Sequence, residues 1–184
     1  PLSIITIPST VENKTVTRIG SYSFYDCDTL KTINLPDSIE AISTYAFEKC
    51  DNLETVNLPA NLKTIGYCAF QGCYNLKNIT IPDSVTSIGA WAFSDCNVLT
   101  TIDIPSSVKS IDIFAFMNCS ELNSLIIPPS LIKRGGSSHI EFLIKLYKSS
   151  SPSICSSISF KSFASNSFNT VFICGSISIE FAKA

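Results

Sequence analysis

The sequence predicts a repeat solenoid with a 23-residue period, and three observations carry the prediction. The pair Leu/Ile-Pro recurs every 23 residues, without a break, from Leu35-Pro36 to Ile127-Pro128. The same spacing relates five phenylalanines and five cysteines, which are Phe24, Phe47, Phe70, Phe93, Phe116, Cys27, Cys50, Cys73, Cys96 and Cys119. A coil of this length cannot bury its own apolar side, so it must stack on its neighbours.

Each coil opens with a short strand. Within residues 30–35, apolar residues alternate at Ile33 and Leu35, which is the period-two pattern of a strand with one buried face. Pro36 then ends the strand because proline has no N–H to donate to a ladder. We therefore expect six parallel strands within residues 2–128, stacked about 4.8 Å apart.

The next corner of the coil carries Gly20, Gly66 and Gly89. We expect a positive φ there, a conformation that glycine adopts readily. The segment Ala-Phe-x-x-Cys that follows spaces its apolar groups three apart, which is typical of a short helical or 3₁₀ turn. The first unit is longer by about five residues, because Ile7-Pro8 precedes Leu35-Pro36 by 28 positions, and we place the extra residues at 12–17.

These motifs carry a family resemblance. Residues 76–96 read Leu-Lys-Asn-Ile-Thr-Ile-Pro-Asp-Ser-Val-Thr-Ser-Ile-Gly-Ala-Trp-Ala-Phe-Ser-Asp-Cys, which resembles the BspA-like leucine-rich repeat. The resemblance covers about residues 2–128 and implies a right-handed coil with a parallel β-sheet on the concave face and short strands or 3₁₀ turns on the convex side. Members of this family are cell-surface proteins, so it also implies adhesion to a host or matrix protein.

The period divides the chain into two parts. We predict a leucine-rich repeat solenoid over residues 1–128, with about five full repeats and a partial first one. The pattern decays beyond Pro128, and residues 129–184 are predicted to be a degenerate repeat, a cap or a partly disordered tail. The chain opens on Pro1 inside a strand-like pattern and carries no signal peptide, which indicates a fragment of a longer protein.

Composition argues against two classes of partner. The net charge of −2 and the pI of about 5.3 leave no basic face for a phosphate backbone, so we expect no nucleic-acid binding. No stretch reaches the roughly 18 to 20 apolar residues that cross a bilayer, so we expect no direct membrane insertion of this fragment. We predict a location at the cell surface or outside the cell, and this prediction rests on the family resemblance alone.

Eight cysteines allow a disulfide framework, but five of them share one repeat column and no CxxC occurs. Coils about 4.8 Å apart lie within the disulfide Cα range of roughly 4.4 to 6.8 Å, so distance alone permits bonds. Parallel Cβ vectors and an odd number of rungs favour free, packing thiols instead. A column also spreads its sulfurs along a line, whereas zinc needs converging ligands, so we expect no metal and no other cofactor.

The sequence offers no catalytic residues. His139 is the only histidine, and it lies in a Gly/Ser-rich segment, while the carboxylates are scattered singly over turns. The doublet Gly135-Gly136 falls far short of a phosphate-binding loop. An enzyme that used the solenoid as a platform would need a separate catalytic domain.

The most informative surface is the strand face that points away from the core. Its flanking columns are polar and nearly uncharged, and we predict ligand binding by Thr32, Asn34, Thr55, Asn57, Asn78, Thr80, Thr101 and Asp103. These residues could also have a purely structural role, because threonine favours strands and stacked asparagines can hydrogen-bond along a ladder. The sequence leaves both this role and ligand recognition open. A second column beside the phenylalanines indicates either edge packing or a stripe of binding hot spots, and consists of Tyr22, Tyr45, Cys68, Trp91 and Phe114.

Together these features predict a non-enzymatic protein-recognition module whose partner is a protein ligand. The first hypothesis is adhesion at a cell surface, which rests on the resemblance. The alternative is an intracellular scaffold with the same fold, and reduced cysteines would favour it.

Overall fold

The computed structural model describes residues 3–122, 124–128, 131, 157–161 and 168–172. The chain is a parallel β-solenoid with a period of about 23 residues, which confirms the predicted fold class. The strands are β1 (Ile4–Thr6), β2 (Thr10–Val11), β3 (Lys14–Thr15), β4 (Arg18–Ile19), β5 (Thr32–Asn34), β6 (Ala41–Ile42), β7 (Thr55–Asn57), β8 (Thr64–Ile65), β9 (Ser87–Ile88), β10 (Thr101–Asp103), β11 (Ser110–Ile111), β12 (Ser124–Ile127), β13 (Ser157–Lys161) and β14 (Phe168–Phe172).

The strands that open each coil form the first parallel stack. Strands β1, β5 and β7 pair in register, as do β10 and β12, so the buried positions Ile33 and Val56 are neighbours. The prediction of six strands is wrong for one coil: Asn78 makes only single bridges to Thr55 and Thr101. Ile79 is still buried, so this coil keeps its place in the core while its pairing is reduced to one residue.

A second stack of short strands lies on another side of each coil. Strands β4, β6, β8, β9 and β11 pair in parallel in that order, with two residues each. Each contributes one buried isoleucine, and these are Ile19, Ile42, Ile65, Ile88 and Ile111. The two stacks therefore enclose a continuous apolar core between them.

The phenylalanine and cysteine columns form a ladder within this core. The rings of Phe24, Phe47, Phe70, Phe93 and Phe116 stack with centroids 5.1 to 5.6 Å apart and planes within 2° to 5° of parallel. The thiols of Cys50, Cys73, Cys96 and Cys119 are free and donate to the phenylalanine carbonyl of the preceding coil at 2.9 to 3.4 Å. Each thiol hydrogen therefore has an acceptor inside the core. The carbonyls of Phe47, Phe70 and Phe93 are shared acceptors, because each also accepts the N–H of the cysteine three residues further on.

The glycine corner has a different cause from the predicted one. The expectation of a positive φ at Gly20, Gly66 and Gly89 is wrong, since none of them has one. A Cβ on Gly89 would lie 2.7 Å from the carbonyl carbon of Gly66, and a Cβ on Gly66 would lie 2.8 Å from that of Ser43. Glycine is needed there because backbones of successive coils approach closely.

Left-handed residues lie further along each turn. Two residues after the corner, Tyr22, Tyr45, Cys68, Trp91 and Phe114 have φ between 52° and 62°. The residue before each column cysteine is also left-handed, at Asp26, Lys49, Gly72, Asp95 and Asn118. The segment has the i to i−3 hydrogen bonds of a 3₁₀ turn, such as Cys50 N–H to the Phe47 carbonyl, but the left-handed residues stop these turns from continuing as a helix.

The turns are also bonded from coil to coil. The N–H groups of Tyr45, Phe47 and Lys49 donate to the carbonyls of the next coil at 2.8 to 2.9 Å. Alternate N–H groups are satisfied in this way, so the turn side has a ladder of its own between coils.

The extra residues of the first unit form a small hairpin. Strands β2 and β3 pair antiparallel around Glu12 and Asn13, which have φ of 50° and 60°. Two left-handed residues in a two-residue loop are the geometry of a type I′ turn. The insertion therefore extends from the coil without disturbing the repeat.

In the C-terminal part, the described residues form strands β13 and β14. Strand β12 pairs with β13 in parallel, and β13 pairs with β14 antiparallel. Most of residues 129–184, including His139 and Gly135-Gly136, lies outside the described residues. The boundary after residue 128 stays a prediction.

Candidate protein-binding face

The structure places all eight predicted binding residues on one surface, here called the strand face. It consists of the first and third side chains of β1, β5, β7 and β10, together with Asn78 and Thr80 of the coil that has single bridges. The middle residues of β5, β7 and β10 are buried. Thr32 and Asn34 are half-buried, and the other six predicted residues are exposed. Parallel pairing sets Thr55 beside Thr32 and Asn57 beside Asn34, so the eight side chains form adjacent columns.

The N-terminal part of the strand face is bonded to itself. The Asn34 side-chain amide donates to Thr6 Oγ1 at 3.3 Å, and the Asn57 amide donates to Asn34 Oδ1 at 3.3 Å. These bonds are the asparagine ladder that the structural interpretation predicts. Side chains engaged in this way have less hydrogen-bonding capacity left for a ligand.

The central part of the strand face is different. Within the described residues, the side chains of Thr55, Asn78, Thr80 and Thr101 make no hydrogen bond. A groove of about 680 Å³ opens here, and it is lined by Glu54, Thr55, Val56, Asn57, Leu58, Ala60, Lys77, Asn78, Thr80 and Pro82. This volume falls within the roughly 300 to 1,000 Å³ of typical ligand sites.

Charged residues border this groove at one end. Glu54 lies 3.5 Å from Lys77 Nζ and 3.8 Å from Lys31 Nζ, so one carboxylate is shared by two ammonium groups. Exposed ion pairs of this kind contribute little to stability. Two lysines share one glutamate, so these three side chains together carry one net positive charge. Sequence reasoning missed these residues, although their 23-residue spacing in the column before the strand was the available signal.

The aromatic column divides into two groups. Tyr22 stacks on Tyr45 with centroids 4.8 Å apart, and Trp91 stacks on Phe114 at 4.5 Å. Cys68 lies between the two pairs and is buried. Edge packing accounts for Trp91 and Phe114, which are half-buried, whereas Tyr22 is 56% exposed.

The described residues offer little reactive chemistry. No group of three or more His, Cys, Asp or Glu side chains among them is placed to hold a metal ion. Burial raises the pKa of the Cys50 and Cys119 thiols to about 12 and raises those of Cys73 and Cys96 well above their usual value, so all four stay protonated near neutral pH. In the same part of the chain, no helix is long and apolar enough to span a membrane.

Comparison with known proteins gives a consistent picture. The family described as BspA type Leucine rich repeat region matches in six copies over residues 2–98 and 40–170. No curated protein matches the chain.

Three solved structures illustrate the likeness. A leucine-rich repeat protein from T. pallidum is 34% identical, with a TM-score of 0.67, and the match covers 68% of this chain and 58% of that one. A leucine-rich repeat protein from Bacteroides ovatus is 32% identical, with a TM-score of 0.61 and coverage of 67% and 39%. A leucine rich cell surface protein from Faecalibacterium prausnitzii is 33% identical, with a TM-score of 0.63 and coverage of 76% and 34%. The chain therefore spans less than two thirds of each of these proteins.

Proposed function

The chain belongs to the BspA-type leucine-rich repeat family, and from this premise we propose that it is a non-enzymatic recognition module whose strand face binds a protein ligand. The observation that carries the proposal is the groove beside Asn78, where the side chains of Thr55, Asn78 and Thr80 make no hydrogen bond to any residue that the structure describes. Family membership and the leucine-rich repeat neighbours support a protein-interaction role. The eight predicted residues remain the proposed binding set, with its centre at the groove.

The chemistry of the strand face suits many modest contacts. Each net hydrogen bond to such side chains is worth about 0.5 to 1.5 kcal/mol, so affinity has to come from several acting together. A stack of parallel strands supplies them at regular spacing. Its outward side chains can also vary without loss of the buried ladder, which suits recognition.

We further propose adhesion at the cell surface, with a host or matrix protein as the ligand. The support is the family resemblance and one structural neighbour that is named a leucine rich cell surface protein. Labelling intact cells with an antibody to this chain tests the location. Signal on intact cells is expected, and signal only after lysis would contradict it.

An intracellular scaffold is the second candidate. The six described cysteines are all free, as in a reducing compartment. This observation favours the scaffold only weakly, because four of these thiols are buried and bonded to carbonyls and would stay unpaired outside the cell as well. The same antibody labelling separates the two locations.

The binding proposal is tested with a charge-bearing variant. A partner captured with the parent chain is measured against Asn57→Lys combined with Asn78→Lys and Thr101→Lys, which leaves every buried residue intact. Loss of binding in a variant that keeps its circular dichroism spectrum is expected.

The matched control places the same three charges elsewhere. Thr29→Lys, Thr64→Lys and Ser110→Lys change exposed residues outside the strand face. This variant is expected to bind as the parent does. Equal losses in both variants would attribute the effect to net charge, and unchanged binding by the first would place recognition on another surface.

A further inference from the structure

Four tyrosines, three of them exposed and Tyr45 half-buried, form one continuous cluster in the turns of the first three coils. Tyr22 contacts Tyr25 edge-on at 5.7 Å and stacks on Tyr45 at 4.8 Å, and Tyr45 contacts Tyr67 edge-on at 5.3 Å between centroids. Tyr22, Tyr25 and Tyr67 are 56%, 38% and 42% exposed. We call these four residues the tyrosine cluster, which shares no residue with the strand face.

The backbone at this cluster is strained. Tyr22 and Tyr45 have φ of 60° and 58°, in a region that bulky side chains rarely adopt and that glycine or asparagine enters readily. At the other left-handed column of the same turns, Gly72 and Asn118 occupy equivalent positions, so the repeat accepts such residues. The half-buried aromatics of this column are explained by packing, whereas Tyr22 keeps a large ring at a strained position that is also exposed, which points to a role beyond packing.

Carboxylates of the same turns act on this region. Partial desolvation, followed by Tyr45 and the Glu48 carboxylate, raises the pKa of Tyr22, so Glu48 acts directly on the cluster. Desolvation and then the carboxylates of Asp28 and Asp26 raise the pKa of Asp51, which shows that these three lie within electrostatic reach of one another. The surroundings therefore favour a cationic ligand.

One cation already uses a ring of the cluster. The Lys49 ammonium lies 5.6 Å from the Tyr25 centroid and donates to the Tyr25 hydroxyl at 3.3 Å. This contact shows within the chain the kind of interaction that an incoming cation could make. The ring of Tyr22, the most exposed of the four, carries no such partner among the described residues.

We propose that the tyrosine cluster is a second interaction surface, which binds arginine side chains of a protein partner. A guanidinium is planar and weakly hydrated, so it stacks on an aromatic face and still donates to neighbouring carboxylates. Tyrosine and arginine are also the residues that most often dominate protein interfaces. This surface is independent of the strand face, so either can fail without the other.

The test titrates the chain with a capped octa-arginine peptide and follows the tyrosine ring signals by NMR. Binding that weakens with salt and shifts the signals of Tyr22, Tyr25 and Tyr67 is expected. Changing Tyr22→Ser and Tyr67→Ser together should weaken binding roughly 5- to 30-fold, from two exposed cation–π contacts. The pair Tyr22→Phe and Tyr67→Phe should bind like the parent because it keeps both rings.

Two controls isolate the surface. Tyr74→Ser removes a tyrosine that is 43% exposed but outside the cluster, and Asn78→Ala with Thr80→Ala alters the strand face. Neither should change the affinity for the peptide. A fall as large as that of the tyrosine pair in either control would overturn the proposal.

Other outcomes also decide against it. The proposal is wrong if the serine pair binds the peptide as tightly as the parent does, or if the parent binds octa-lysine as tightly as octa-arginine. It is also wrong if binding is independent of salt and a neutral oligosaccharide displaces the peptide. Should the serine pair lose its circular dichroism spectrum, Glu48→Gln with Asp26→Asn keeps the rings and removes two charges. Unchanged binding by that folded variant would also overturn the proposal.

Discussion

The phenylalanine–cysteine ladder and the strand face come from the same 23-residue unit, yet they differ in how each coil depends on its neighbours. In the ladder, every ring stacks on a ring of the adjacent coil and every buried thiol is bonded to an adjacent carbonyl. On the central strand face, Asn78 and Thr80 make no side-chain hydrogen bond within the described residues. The ladder is therefore expected to carry stability, while the strand face is free to specify a ligand.

The largest expected effect breaks the ladder at its centre. Phe70 is buried and stacks on Phe47 and on Phe93, at 5.1 and 5.3 Å. Phe70→Ala should lower the free energy of unfolding by about 3 to 5 kcal/mol, because the cavity has ordered neighbours on both sides. Denaturant unfolding measures the change, with Thr80→Ala as the exposed control, and equal midpoints for the two would contradict the division into ladder and face.

The next largest loss of stability is expected where the backbones of successive coils approach closely. A Cβ at Gly89 would meet backbone atoms of Gly66 and Tyr67 at 2.7 Å, whereas at Gly20 it would meet only the Ser23 hydroxyl, at 3.1 Å. Gly89→Ala should therefore destabilise the chain by about 1 to 3 kcal/mol through overpacking. Gly20→Ala is the matched control and should have a clearly smaller effect in the same thermal or denaturant unfolding. Similar effects at both sites would show that spacing between coils is not what requires glycine.

Some of this contrast could be predicted from sequence, because a fixed period places equivalent residues side by side. The period predicts that the columns at Phe70, Cys73 and Ile79 are buried, and they are. It also predicts that Asn57 and Thr80 lie on the surface, where both are exposed. The left-handed positions could not be predicted, since local preference favours glycine or asparagine and the fold instead puts Tyr45 and Trp91 there.

The 23-residue period also does not predict contacts between residues of different columns. Tyr25 joins Tyr22 only because the turn folds back on itself, and Tyr67 reaches Tyr45 from a neighbouring column. The groove arises where pairing at Asn78 is reduced to single bridges. Nothing in the period distinguishes that coil from the others, so pairing there depends on details of tertiary structure.

A smaller difference in stability is expected between a cysteine inside the ladder and the cysteine at its end. Cys96 is buried and donates to the Phe70 carbonyl at 3.4 Å, whereas Cys27 is half-buried and its sulfur lies 3.8 Å from the Tyr25 carbonyl. Cys96→Ala should cost about 1 to 2 kcal/mol, from a small cavity and the lost thiol hydrogen bond. The Phe70 carbonyl keeps the Cys73 N–H as a donor. Cys27→Ala should cost less in the same unfolding experiment. A larger loss at Cys27 would mean that the ladder is strongest at its end rather than in its interior.

The smallest effect is expected within the strand face, where one exposed asparagine has a side-chain hydrogen bond to a neighbouring coil and another has none among the described residues. Asn57 donates to Asn34, so Asn57→Ala should cost about 0.5 to 1.5 kcal/mol. Asn78 is exposed and its side chain has no hydrogen bond within the described residues, so Asn78→Ala should stay within about 0.5 kcal/mol of the parent. Paired denaturant titrations resolve this difference, and a cost at Asn78 equal to that at Asn57 would mean that Asn78 supports the coil. In that case its side chain would not be free for a ligand, and the proposed centre of the binding face would have to move away from the groove.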